Sequence, residues 1–226
     1  FDAIYVESDM MKSALQRRGF ENAVVMYNFK ELEPLAESDI EYPKSEPYKL
    51  CTFSRVMKEK GIEDAINAVE SVNAHFGRTV YTLDIFGQVD VEYKERFSQL
   101  EKSFPDYISY GGSIEANKSV ETLKSYFALL FPTYYKGEGF AGTLIDAMSA
   151  GVPVIASDWK YNPEFVVPGK TGVIIKNCNA ERLAEELINI AAAPEKWNSM
   201  RLSALKESEK YKPDIAARPL IDRING

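Results

Sequence analysis

The residues of this chain best placed for chemistry are cations, acids and glycines at the ends of apolar runs. In the loop Ser54 to Gly61, Arg55 leaves a strand-like segment and Lys60 follows just ahead of a helix whose first turn holds Glu63 and Asp64. An arginine fork and a lysine point charge at a helix N-terminus suit a diphosphate, each charge-assisted bond contributing roughly 1.5–3 kcal/mol. A solvated basic turn, with Arg55 paired to a carboxylate, accounts for the same residues, and Lys58 is as good a candidate as Lys60. The second loop begins at Glu138. Gly142, Thr143 and Leu144 fall in the first turn of a helix that stops at Gly151, where unpaired amide N–H groups point outward. The small residues Gly139, Ala141 and Gly142 let a ligand approach that backbone closely. Thr143 to Asp146 also fits a capping box, the simpler reading of Asp146 on spacing alone. Glu138, an acid flanked by glycines before a helix, has no evident capping duty. Two further strand ends carry glycine, at Gly87 and at Gly111-Gly112. The backbone from Tyr110 to Ser113 could lie against a flat base or form an ordinary turn, and Gly87-Gln88 is equally open.

Absent motifs narrow the chemistry. The single histidine, His75, sits in the polar segment Asn73 to Arg78 and reads as a surface residue at a helix end. There is no Asp-x-Asp pair and no His/Cys cluster with metal-ligand spacing. The Gly-x-Gly-x-x-Gly, P-loop and Gly-x-Ser-x-Gly patterns are missing too. An anion site built from Arg, Lys and helix amides, without metal, is what remains.

Those loops need a scaffold. With 226 residues and 45% apolar content the chain can bury one substantial core. A net charge of -7 argues against nucleic acid or an anionic membrane as the main partner, so an anionic ligand needs a local basic patch. Cys51 and Cys178 lie far apart in apolar, strand-like runs, which predicts buried free thiols rather than a disulfide. No apolar run approaches the ~18 residues needed to span a bilayer, and a reducing cytosol is the expected compartment. The opening residues carry no signal-type core, and the abrupt start without an initiator Met predicts a fragment.

Strand-like segments at 3–6, 23–27, 49–54, 80–86, 107–110, 128–131, 152–156 and 172–175 alternate with helical ones. The helices are expected near 9–18, from Ile62 through Val69, and near 91–103, 118–126, 180–193 and 195–209. Pro213 and Pro219 allow only a short or kinked helix in the tail. The acidic stretch from Lys30 to Lys49, with three prolines, reads as a linker. Regular alternation predicts an α/β fold, a parallel sheet with helices on both faces and ligands at the carboxyl ends of its strands.

Taken together, the ordered set Arg55…Lys60-Gly61, Gly87, Gly111, Glu138-Gly139-Phe140…Asp146-Ala147-Met148…Gly151-Val152-Pro153-Val154-Ile155-Ala156-Ser157-Asp158…Pro163-Glu164 resembles the donor-binding domain of family four retaining glycosyltransferases. These have the GT-B architecture of two Rossmann-like domains. The likeness covers about residues 24–210, and 138–164 is its specific part. It implies a remnant of the N-terminal domain and crossover at 1–28, a linker at 29–49, a nucleotide-sugar-binding Rossmann-like domain at 50–210 and a tail at 211–226. Arg55 and Lys60 would hold the donor diphosphate and stabilise the departing nucleotide. Glu138 would hydrogen-bond donor-sugar hydroxyls, and Gly139, Phe140, Ala141, Gly142, Thr143 and Leu144 would offer backbone amides. Gly87, Gly111 and Gly112 would line the donor site, and Asp146 would stand where the family's second acid grips the ribose.

Asp146 is one methylene shorter than the usual Glu, Ala141 replaces a common Gly, and Trp159 to Asn162 replaces a more glycine-rich turn. The implied activity is retaining, metal-independent transfer of a hexose from a nucleotide-diphosphate sugar, UDP foremost, to a glycan or lipid-linked acceptor in polysaccharide synthesis. No cofactor is implied. The acceptor would be met through the missing N-terminal domain, without which the fragment is expected to be inactive. The implied location is the cytoplasm, including the inner face of the plasma membrane by peripheral association. A GT-B-like nucleotide-sugar epimerase and a non-catalytic Rossmann-like interaction module are the rival readings.

Overall fold

A computed structural model describes residues 2–225. Phe1 and Gly226, which end the expected N-terminal segment and tail, lie outside the described residues. The chain runs β1 (Ile4–Val6), α1 (Asp9–Gln16), β2 (Ala23–Val25), β3 (Tyr48–Phe53), α2 (Ile62–Phe76), β4 (Tyr81–Phe86), α3 (Lys94–Glu101) and β5 (Ile108–Gly112). It continues through α4 (Ser119–Leu123), β6 (Ala128–Phe131), α5 (Gly142–Ser149), β7 (Val154–Ser157), α6 (Asn162–Phe165) and β8 (Gly172–Ile175). Five helices finish it: α7 (Ala180–Ala192), α8 (Pro194–Asn198), α9 (Arg201–Ser208), α10 (Pro213–Ala216) and α11 (Arg218–Asn225).

Six strands form one all-parallel sheet in the order β5-β4-β3-β6-β7-β8. Every residue of β6 and β7 is buried, as a parallel strand covered on both faces requires. On one face α2 turns Ile62, Ala65, Ile66, Val69 and Val72 inward and packs against α7. On the other, α5 packs against α4 and α9. Strand order reverses between the central neighbours β3 and β6, so the loops leaving their carboxyl ends diverge and open a crevice. A separate two-stranded parallel pair, β1 with β2, carries α1 across it.

Four expectations change. Gly111 and Gly112 belong to the end of β5 rather than to a loop after it. A Cβ on Gly111 would lie 2.2 Å from the Phe86 ring, so close packing accounts for that glycine. The expected helix at 195–209 is two helices. Trp197 and Met200 pack on one face of the sheet and Ala204 on the other, and the break lets the chain change sides. It is anchored there by Trp197, whose Nε1–H donates to the Phe127 carbonyl at 2.9 Å. The guanidinium of Arg201, fully buried, donates to the carbonyls of Tyr126 and Lys124 at 2.7 Å each. Burial pulls its pKa down to about 10.

Cys51 is buried in β3 as a free thiol, whereas Cys178 is half-buried beyond the end of β8. Burial pushes the Cys178 pKa up to about 12 and that of Cys51 higher than a free thiol's. The stretch read as a linker is not a free spacer: Leu35 N–H donates to Ser149 O at 2.8 Å, Asn198 Nδ2–H donates to Pro43 O at 2.7 Å, and Ile40 is buried. Enough of its apolar side chains find the main unit to fasten it there.

Candidate functional site

Two loops meet at the switch point. After β3 the chain makes a short turn at Lys58–Lys60 and reaches Gly61, whose φ of 72° lies in the left-handed region. A Cβ at Gly61 would come within 2.3 Å of the Pro132 carbonyl oxygen, so only glycine lets the start of α2 close on the end of β6. The loop after β6 is stitched to it by Tyr134 N–H donating to Glu59 O at 2.8 Å.

This junction brings Lys60 to Glu138. Their Nζ and Oε2 atoms are 2.6 Å apart, with side chains only 10% and 7% exposed. Thr133 Oγ1–H donates to the same Glu138 oxygen at 2.8 Å, and Ser157 Oγ–H holds the Thr133 carbonyl at 2.5 Å. The Lys60 ammonium lies 5.4 Å from the Phe131 ring centre and 5.3 Å from that of Tyr135, an arrangement that favours a cation. Trp159 Nε1–H fixes the Tyr135 carbonyl at 2.7 Å. Lys60 is therefore the anchored cation, and Lys58 is not part of the pair. Arg55 stays near the surface, 46% exposed, 3.5 Å from Asp90 and 5.5 Å from the Tyr135 ring centre. That is the carboxylate pairing the loop allowed, and it leaves the guanidinium within reach of a ligand.

The second loop is pinned by aromatic packing. Phe140 is buried and stacks on Phe165 with ring centres 3.7 Å apart, which fixes the backbone on either side of it. Its N–H donates to Glu7 Oε2 at 3.2 Å and its carbonyl accepts from Asn28 Nδ2–H at 3.1 Å. The Phe140 amide is thus already engaged. The Leu144 N–H donates to Ala141 O at 3.0 Å and its side chain is in the core, so the amide expected from Leu144 does not face the crevice. The Gly142 and Thr143 N–H groups open α5 and make no hydrogen bond among the described residues. Thr143 Oγ1 is buried without a partner.

The capping box does not form. The N-cap is Ala141, with no side-chain cap bond, so Thr143 is already inside the helix. Asp146 instead receives Lys30 Nζ on both oxygens, at 2.8 and 2.6 Å. Sequence reasoning missed Lys30, Thr133, Tyr135 and Glu7. Lys30 did carry a signal, as the sole cation heading an acidic run that includes Glu31, Glu33, Glu37, Asp39 and Glu41.

Beside this crevice Gly87, at φ 136°, approaches the Ser54 carbonyl so closely that a Cβ would sit 1.8 Å from it. Its N–H donates to Gly112 O at 2.8 Å. Gly87 and Gly112 thus meet, next to a small pocket of about 170 Å³ lined by Phe53, Ser54, Phe86, Gly87, Gln88, Ser113 and Ile114. A larger cavity of about 590 Å³ lies between residues 31–39 and 117–121. Acids and no cation line it, which does not suit a phosphorylated ligand. Among the described residues no three His, Cys, Asp or Glu side chains are grouped to hold a metal ion.

This sheet order, with a cation–acid pair and open helix amides at its switch point, defines an α/β domain of Rossmann type. The chain belongs to the family described as glycosyl transferases group 1, whose model matches residues 36–207. It is 30% identical over 178 residues to the GtfA subunit of the UDP-N-acetylglucosamine–peptide N-acetylglucosaminyltransferase of Streptococcus gordonii, covering 75% of this chain and 34% of that protein. It is 26% identical over 185 residues to the poly(glycerol-phosphate) alpha-glucosyltransferase of Bacillus subtilis, covering 79% of this chain and 26% of that one. The chain thus spans about a third of the length of these relatives or less. Among solved structures it is similar in fold to Anabaena HepE in complex with UDP, with a TM-score of 0.82 at 16% identity, covering 99% of this chain and 64% of that one.

Proposed function

We propose that this chain is the donor-binding half of a retaining glycosyltransferase that transfers a hexose from a UDP-sugar without a metal ion. The buried Lys60–Glu138 pair at the switch point carries the reading. A donor has a phosphate joined to a sugar, and this pair offers a cation for phosphate oxygen and a carboxylate for a hydroxyl within one contact distance. Arg55 would add a second cation, and the N–H groups of Gly142 and Thr143 would face the same charge. The small pocket between the ends of β3 and β4 would take the base.

As the sugar–phosphate bond lengthens, the leaving nucleotide gains negative charge and the sugar becomes oxocarbenium-like. Fixed cations and amides aimed at the diphosphate stabilise that state more than the ground state. The named relatives support the reading, since one is a subunit of a UDP-N-acetylglucosamine–peptide N-acetylglucosaminyltransferase and one is called an alpha-glucosyltransferase. The acceptor, a glycan or lipid-linked chain, would be met by protein beyond the residues present, as would any contact with the inner membrane face.

Thermal unfolding with UDP, GDP, ADP and CMP, each with and without EDTA, tests this. UDP is expected to raise the midpoint of the wild-type chain, and Arg55→Ala to remove the shift. No response to any nucleotide would favour a non-catalytic module, and a response that EDTA abolishes would rule out metal independence.

A further inference from the structure

The flank of the crevice next to α5 differs from what the resemblance implies. The Asp146 side chain is only 2% exposed and both its oxygens face Lys30 Nζ, whereas the Lys30 side chain is 31% exposed. Lys30 lies along the start of α5: its Cε and Nζ are 3.5 and 3.7 Å from where a Cβ on Gly142 would stand. Its root is tied to the neighbouring loop, because Asn28 Nδ2–H donates to the Phe140 carbonyl at 3.1 Å while Asn28 Oδ1 accepts from Phe29 N–H at 3.0 Å. The group that a ligand meets here is therefore an ammonium beside the unpaired N–H groups of Gly142 and Thr143. The carboxylate stands behind it, short by one methylene.

We propose that Lys30 is a direct ligand of the nucleoside diphosphate and that Asp146 is the residue that positions it, an inference that rests on the donor-site reading above. An ammonium carries three N–H donors and no acceptor. Two can engage the Asp146 oxygens, and the third is left for an acceptor oxygen of the diphosphate. Lys30 would then join Arg55 and Lys60 as a third cation offering N–H donors to the diphosphate, each held in place by a carboxylate. A site that donates rather than accepts on this flank gains little from the ribose hydroxyl protons. Binding should then depend weakly on the 2′-hydroxyl, unlike a site in which a carboxylate grips the ribose.

Calorimetric titration of the 226-residue chain with UDP, and with GDP and ADP as parallel probes, tests this at low and moderate salt. Lys30→Ala is expected to weaken UDP binding about tenfold or more, the loss of one charge-assisted bond, and to make it less sensitive to salt. Lys30→Arg should retain most of the affinity. Asp146→Asn should weaken binding alone but add little in the Lys30→Ala background, because the two act as a unit. UDP and 2′-deoxy-UDP should bind the wild type within about threefold of each other, well under the energy of one charged hydrogen bond. Unfolding midpoints check that each variant folds. If Lys30→Ala does not, the double variant, which buries no lone charge, carries the comparison with wild type.

The inference is overturned if Lys30→Ala binds UDP as the wild type does. It is equally overturned if Asp146→Asn alone erases a strong preference for UDP over 2′-deoxy-UDP, since the carboxylate would then hold the ribose. Binding that Arg55→Ala abolishes and Lys30→Ala spares refutes this role while keeping the donor site. Absence of any nucleoside diphosphate binding by the wild type removes both.

Discussion

Lys60 and Glu138 stand 78 residues apart in sequence and share one buried contact. Removing only one of them leaves the other charged and dry. Lys60→Ala is expected to cost roughly 3–5 kcal/mol of stability by stranding the Glu138 carboxylate. Lys60→Met combined with Glu138→Gln should cost clearly less, because no lone charge remains. Urea unfolding of the two variants makes the comparison, and equal losses would mean that the charges are not coupled. Beforehand Lys60 stood out as a loop cation suited to a phosphate and Glu138 as an acid without a capping duty, but their pairing was not legible, because it follows from β3 and β6 being neighbours. Asp146 shows the opposite failure. Its spacing from Thr143 matched a cap, yet α5 begins at Gly142, and its true partner Lys30 lies 116 residues away.

At the scale of elements, Gly61 joins sequence to site most directly. Gly61 and Gly77 bracket α2 with similar left-handed φ values of 72° and 63°, but nothing lies within 4 Å of a Cβ on Gly77. Gly77→Ala should therefore cost about 1–2 kcal/mol, the price of the left-handed conformation alone. Gly61→Ala should cost more, because its Cβ would also meet the Pro132 carbonyl, and it should weaken nucleotide binding by moving Lys60. Unfolding and titration of the pair separate backbone strain from collision. Strand prediction was most accurate where the chain punctuates itself. The run 128–131 ends at Pro132 and the run 172–175 starts at Gly172, and both are β-strands over those residues. The break between α8 and α9 was not legible, since residues 195–209 read as one continuous helix. Only the passage from one face of the sheet to the other demands the break.

At the scale of the whole molecule, the small unit of β1, α1 and β2 is attached to the main sheet at the crevice itself. Glu164, in α6, accepts the N–H groups of Asp9 and Met10 at 2.6 and 3.0 Å, capping α1 from another part of the chain. Glu7 reaches the Phe140 amide from the same unit. Glu164→Ala is expected to speed hydrogen exchange in α1 by roughly threefold to thirtyfold, the worth of one lost helix cap. Exchange in β6 and β7 should be unaffected. Uniform acceleration throughout the chain would show instead that the small unit and the sheet open together. The sequence has two tryptophans, and the fold gives them unlike posts. Trp197 is sealed in the core against Phe127, while Trp159 is half-buried and bonded to the Tyr135 carbonyl beside Lys60. One indole thus watches the integrity of the fold and the other watches the mouth of the crevice. Their fluorescence can separate a filled molecule from an unfolded one with no added dye.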